Sequence, residues 1–271
     1  MINLLKADFF RVIRTKLVYI SLIVAVALPF FVNGVTYLTY AATASMIDPE
    51  EAEAITGIGD SLFNQTFSPL MSFSFVFAVF PVIVIMMDFG NGTIRNKVIH
   101  GYSRHQIYAA HFIISLLYAF LMTALFVSTN VLCSVLMLGI SEIPVEMIST
   151  YVAYFLIGFL GVLLIASIGS SLALSLTNAG AIVLTIFAVL FFNYVGTILG
   201  YILTWQGVEN AEYALSLFPS YFTEMLSQFM TYKTAPNLKP ILYIEAVLGV
   251  LVFSGGFYAL GTFVFNKRDF K

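Results

Sequence analysis

The amino-acid sequence predicts an all-α integral membrane protein of about six transmembrane helices, with an N-terminal interfacial amphipathic helix and both termini cytoplasmic. Three observations predict it: a scarcity of charge, six long apolar runs, and a one-sided placement of Lys and Arg. Of the 271 residues, 60% are hydrophobic and 10% charged, and the mean hydropathy is +0.97. A soluble domain carries about 25% charged residues to face water, so lipid must cover much of this surface.

Crossing the hydrocarbon core takes about 20 apolar residues in a helix. Six stretches qualify: Leu17–Tyr40, Phe67–Met87, Ile107–Leu138, Tyr151–Leu176, Ala179–Leu203 and Ile241–Phe265. The third, about 32 residues long, must tilt or project beyond the bilayer. Only Thr177 and Asn178 divide the fourth from the fifth, which predicts a tight helical hairpin. The runs are continuous, whereas the strands of a membrane barrel alternate over about 10 residues. Ala42-Thr43-Ala44 resembles a leader-cleavage site, but the apolar run before it exceeds the roughly 7–15 residues of a leader core. It is therefore read as a retained span.

Basic residues set the orientation, because they collect on the cytoplasmic side. Ten of the twelve Lys and Arg fall in segments that alternate correctly for an inside start: Lys6 to Lys16, Arg95 to Arg104, and Lys267 to Lys271. The acids Asp48, Glu50, Glu51, Glu53 and Asp60 share the first outer loop. Residues 1–16 are thus an interfacial helix and 17–271 one six-helix domain, with an inner loop at 88–106 and an outer aromatic loop at 204–240. Such spans and loops leave no room for a separate soluble catalytic domain.

At 100° per residue, Ile2, Leu5, Phe9, Phe10, Val12, Ile13 and Leu17 share one broad face of the first helix. Asn3, Asp8, Arg11, Arg14 and Thr15 occupy the other, so the helix is expected in the headgroup layer with its cations near anionic lipid. Lys6 and Lys16, nearer the apolar side, would snorkel.

The inner loop carries the densest local signals. Gly90 and Gly92 permit a sharp exit from the second span. Thr93 to His100 then predicts a short helix, with Ile94 and Ile99 as apolar anchors and Arg95 and Lys97 as polar positions. Gly101 suits the end of that helix, and Ser103 with Gln106 makes a capping box that opens the third span. A compact, structured loop is what a cytoplasmic partner needs in order to push on the bilayer helices.

The segment Asp88, Gly92, Thr93, Arg95, Gly101, Ser103, Arg104 resembles the coupling helix of the ABC-2 family of exporter permeases. Where that family usually has Glu, this chain has Asp88. The basic amphipathic start is similar to the family's elbow helix, and Ser171 to Asn178 to its short inner link. Leu217-Phe-Pro-Ser-Tyr-Phe222 resembles its outer proline-aromatic segment. The resemblance implies a permease subunit that docks a separate ATPase through Asp88, Gly92, Thr93, Ile94, Arg95, Lys97, Gly101, Ser103 and Arg104. It also implies ATP and Mg on that partner, none in this chain, and a second copy or a related permease to complete the path. A bacterial plasma membrane is the expected location.

Sparse intramembrane polar groups usually face a bundle interior, so Asn33, His111, Asn130, Asn193 and Glu245 are candidates for a pathway, or for bonds between helices. In the outer loop, Phe218, Pro219, Tyr221 and Phe222 fit either a segment lying on the membrane surface or a gate. The sequence has no Gly-x4-Gly-Lys-Ser/Thr phosphate loop, no hydrolase signature and no metal-ligand spacing among His100, His105 and His111. A net charge of −2 argues against nucleic acid. The cargo class that fits is hydrophobic or amphipathic: peptide, antimicrobial, drug or lipid. An ion-coupled carrier and a non-transporting immunity or scaffold protein are the competing classes.

Overall fold

The computed structural model describes residues 1–48, 51, 79–138, 148–176, 180–207 and 240–267. Eight helices run through them: α1 Ile2–Arg14, α2 Lys16–Ala44, α3 Val79–Gly90, α4 Thr93–Ile99, α5 Arg104–Leu138, α6 Ile148–Leu176, α7 Gly180–Trp205 and α8 Pro240–Asn266. Among the described residues, four helical segments are long and apolar enough to cross a membrane: Lys16–Ala44, Arg104–Met137, Phe159–Leu176 and Val247–Asn266. The chain is a multi-pass membrane protein. Helix α7 is also continuous, with no charged side chain between Gly180 and Trp205. Of the expected second span, the described part is α3; residues 67–78 lie outside the described residues, as do 177–179 between α6 and α7.

Helix α5 is the axis of the packing. Its 35 residues reach about 52 Å at 1.5 Å per residue, well beyond a hydrocarbon core of about 30 Å. It packs on α1, α2, α4, α6 and α8, and α6 in turn packs on α7 and α8. Burial separates the helices in the same way: 61% of the apolar window of α5 and 67% of that of α6 are enclosed, against 28% for α2 and 22% for α8. Peripheral helices turn large apolar side chains outward, such as Ile23 and Phe31 on α2 and Leu251 and Val252 on α8. In a bilayer those faces meet acyl chains.

Two apolar clusters fill the interior. The first joins Val12, Val18, Ala25 and Val84 to Tyr118, Met122 and Phe126 of α5 and to Val162 and Ala166 of α6. The second lies at the end that carries α4, joining Leu4, Ile85, Ile94, Ile107, Tyr108, Phe112, Leu174, Ala181 and Phe265. Here α5, α6 and α8 approach closely. The Tyr108 hydroxyl donates to Ser171 Oγ at 3.0 Å and lies directly over Gly261, where any Cβ would collide with it.

Within the bilayer-length part, α2 and α5 are joined by buried amides. Asn33 Nδ2 donates to Asn130 Oδ1 at 2.6 Å and to the Pro29 carbonyl at 2.8 Å, and Ser134 Oγ donates to Asn33 Oδ1 at 3.0 Å. Lower down, Ser21 and Tyr118 share a hydroxyl–hydroxyl bond between the same helices.

Candidate functional site

The segment from Asp88 to Gln106 is shaped by two of its three glycines and by its capping residues. Gly92 (φ 66°) and Gly101 (φ 83°) both lie in the left-handed region that costs an L residue a backbone clash. Gly92 turns the chain from α3 into α4, and Gly101 ends α4. After Gly101 the backbone closes a Schellman motif: Gly101 N donates to the Val98 carbonyl at 3.0 Å and Tyr102 N to the Lys97 carbonyl at 3.2 Å. The expected capping box is present and reciprocal. Gln106 N donates to Ser103 Oγ at 3.3 Å, and Ser103 N donates to Gln106 Oε1 at 3.2 Å.

Helix α4 is therefore a rigid turn of helix with two different sides. Ile94 is buried in the second cluster and Lys97 is also buried, whereas Arg95, Asn96, Ile99 and His100 are exposed. Two sequence expectations change here. Ile99 is 70% exposed and anchors nothing among the described residues, and Lys97, expected as a polar docking position, faces the interior. The spacing explains both: Ile94 and Lys97 are three apart and share a face, and Ile99 falls on the opposite side.

Lys97 reaches a buried cluster of charges contributed by four helices. Its Nζ lies 2.6 Å from Asp8 Oδ1 and 2.7 Å from Asp8 Oδ2, and 3.1 Å from His111 Nε2. Arg11 pairs with Asp88 and stands 3.4 Å from Asp8 Oδ1. His111 Nδ1 is 3.5 Å from Asp88 Oδ2. Two carboxylates thus meet two cations, with an imidazole between Lys97 and Asp88. Burial drives the Lys97 ammonium below its ordinary value, opposed chiefly by the Asp8 charge. Burial likewise pushes the Asp88 carboxyl up, opposed by the Arg11 charge and hydrogen bond. A cluster of this kind costs desolvation and is kept together by mutual pairing.

The first helix had to fold in an unexpected rotation for this to happen. The expected water-facing side included Asp8; in the structure Leu4, Asp8 and Val12, spaced by four, are the buried stripe. Ile2, Phe9, Phe10 and Ile13 are exposed on another side, and Arg14 lies over the Phe10 ring at 4.0 Å. The helix so has a bundle face, an outer apolar face and a polar edge. Asp8, Arg11 and His111 are the members of the cluster that sequence reading did not assign to it. The available signal was a lone acid on a basic helix, with Lys97 and His111 needing a counter-ion elsewhere.

The remaining expected site residues are distributed as follows. Thr93 is half-buried at the start of α4. Arg104 Nη1 donates to the Asn266 carbonyl at 2.6 Å, so this cation caps the C-terminal end of α8. Asn33 is 1% exposed and enclosed between α2 and α5 of the same chain. His111 belongs to the charge cluster, which removes it from the candidates for a path through the spans. Asn193 is a residue of α7 whose side chain lies outside the described residues, as do Phe218, Pro219, Tyr221 and Phe222 of the outer loop. Among the described residues, no group of three or more His, Cys, Asp or Glu side chains is placed to hold a metal ion.

A two-sided helix tied to the spans through buried ion pairs can transmit displacement. No curated protein matches the chain. The family model described as ABC-2 family transporter protein matches residues 4–196, which run from α1 through the charge cluster into α7. The chain belongs to the ABC-2 family of transporter proteins.

Proposed function

We propose that the chain is the permease subunit of an ATP-driven exporter, working with a separate ATPase that docks on α4. The observation that carries this reading is the division of α4: Ile94 and Lys97 hold it to the spans, while Arg95, Asn96, Ile99 and His100 are exposed among the described residues. An exposed Ile on a helix this short, with the exposed Arg95 one turn before it, suits a protein partner better than water. Family membership supports an ATPase as that partner.

In this reading six spans cross a bacterial plasma membrane, both termini and α4 are cytoplasmic, and two copies or a related chain complete the path. ATP and Mg bind the partner, whose closure pushes on α4. The cargo is hydrophobic or amphipathic (a peptide, antimicrobial, drug or lipid), because the buried polar groups described in the spans are engaged with one another. Phe218, Pro219, Tyr221 and Phe222 act near the outer exit.

The test is purification of the tagged chain from its native cell in mild detergent, with mass spectrometry of what stays bound. A stoichiometric soluble ATPase, lost on Arg95→Ala with Ile99→Ser, is the expected result. A chain that retains its native function with no ATPase bound refutes the reading and favours an ion-coupled carrier or a scaffold.

A further inference from the structure

The chain's own grip on α4 lies on a different helix, 89 residues away in sequence. Lys97 is 8% exposed and Asp8 2%, so neither charge is satisfied by water. The ammonium of Lys97 has both oxygens of Asp8 and the ring nitrogen of His111 within hydrogen-bond distance. Arg11, one turn along the same helix, reaches Asp88 at the end of α3. Helix α1 so holds both flanks of the turn from which α4 projects.

Its other end is joined to the spans almost rigidly. Only Thr15 separates α1 from α2, and it is bonded on both sides: Thr15 Oγ1 donates to the Arg11 carbonyl at 3.1 Å and Val18 N to the Thr15 carbonyl at 3.0 Å. A displacement of α4 therefore bears on α1 through Asp8 and on the start of α2 through Thr15.

We infer that Asp8 is a positioning residue for the docking helix: its carboxylate sets the orientation in which α4 meets its partner, and makes α1 part of the route from α4 to α2. This rests on the docking role given to α4 above. An ion pair is well suited to the task. Apolar contacts slide at little cost, whereas separating two buried opposite charges leaves desolvated charge less fully compensated.

The test uses the full chain in lipid nanodiscs, with the ATPase that co-purifies with it. In Asp8→Asn, amide hydrogen exchange at residues 93–99 should quicken by about tenfold or more while exchange in the middle of α5 is unchanged. Affinity for the ATPase should fall by a similar factor, and Asp8→Glu, which keeps the charge, should recover most of it. Lys97→Met should reproduce the Asn variant, and the double variant should be no worse than either single one. If Asp8→Asn does not fold, Lys97→Met carries the same test, because Arg11 remains beside Asp8. Unchanged exchange at 93–99 in a folded variant overturns the proposal, as does a double variant whose losses multiply. Faster exchange in a chain that never bound an ATPase upholds Asp8's hold on α4 and refutes the permease reading instead.

Discussion

Replacing Asn33 by Leu tests whether the amide pair between α2 and α5 holds these helices together. The side chain is enclosed, and it makes two bonds across the interface: one to Asn130 Oδ1 at 2.6 Å and one from Ser134 Oγ at 3.0 Å. A hydrogen bond between membrane helices contributes about 0.6 kcal/mol on average and up to about 1.7. Two such bonds give about 1–3 kcal/mol, and Leu, which keeps the Cγ branching of Asn and is somewhat larger, opens no cavity. The third bond, to the Pro29 carbonyl, lies within α2 and does not count toward association. The assay is reversible unfolding in bicelles, with Asn33→Leu, Asn130→Leu and the double variant forming a cycle. Coupling of about 0.5 kcal/mol or more is expected, since the two amides share a bond. Strict additivity, or a loss below about 0.3 kcal/mol, would falsify the reasoning and return Asn33 to the candidates for a pathway residue.

Gly261→Ala should destabilise the chain by about 1–3 kcal/mol, because the new Cβ meets the Tyr108 hydroxyl and lies 3.1 Å from Ser171 Cβ. Tyr108→Phe should relieve part of that loss in the double variant, measured by thermal unfolding in detergent. Gly101→Ala forces an L residue to φ 83° and should cost about 1–2 kcal/mol, read as faster hydrogen exchange confined to 93–102. Asp88 is expected to show in the pH dependence. Burial raises its folded pKa above 3.8, so the folded chain holds this proton more tightly than the unfolded one. Its contribution to stability is then present at low pH and declines as pH rises from 3.8 through the folded value. The difference between wild type and Asp88→Asn, followed by melting temperature across that range, should show this downward slope; an upward slope contradicts the burial assigned to Asp88.

Much of the loop's backbone was legible in sequence, because its signals are local. Gly92 and Gly101 need only their own φ angles to be understood, and Ser103 and Gln106 cap a helix end three residues apart. Membrane residence was equally legible, since a run such as Lys16–Ala44 is long and apolar enough to cross a bilayer on length and composition alone. The family resemblance, carried on Asp88, Gly92, Thr93, Arg95, Gly101, Ser103 and Arg104, agrees with the match over residues 4–196.

Which side of α1 and α4 faces inward was not legible. An amphipathic pattern says which residues avoid water, but in a membrane protein the apolar side has two destinations, lipid or bundle. On α1 the aromatic side is the outer one, and Leu4, Asp8 and Val12 pack inward. The reason is electrostatic: Asp8 can lie inside only because Lys97 arrives from 89 residues away, and periodicity does not register a partner at that distance. Arg104 makes the same point at the other end of the chain, where its partner is the last carbonyl of α8. The sequence by itself determined that these helices exist, where the loop turns and that lipid surrounds it. Only the tertiary structure decided which charges meet, because a buried ion is acceptable wherever folding brings its counter-ion and nowhere else.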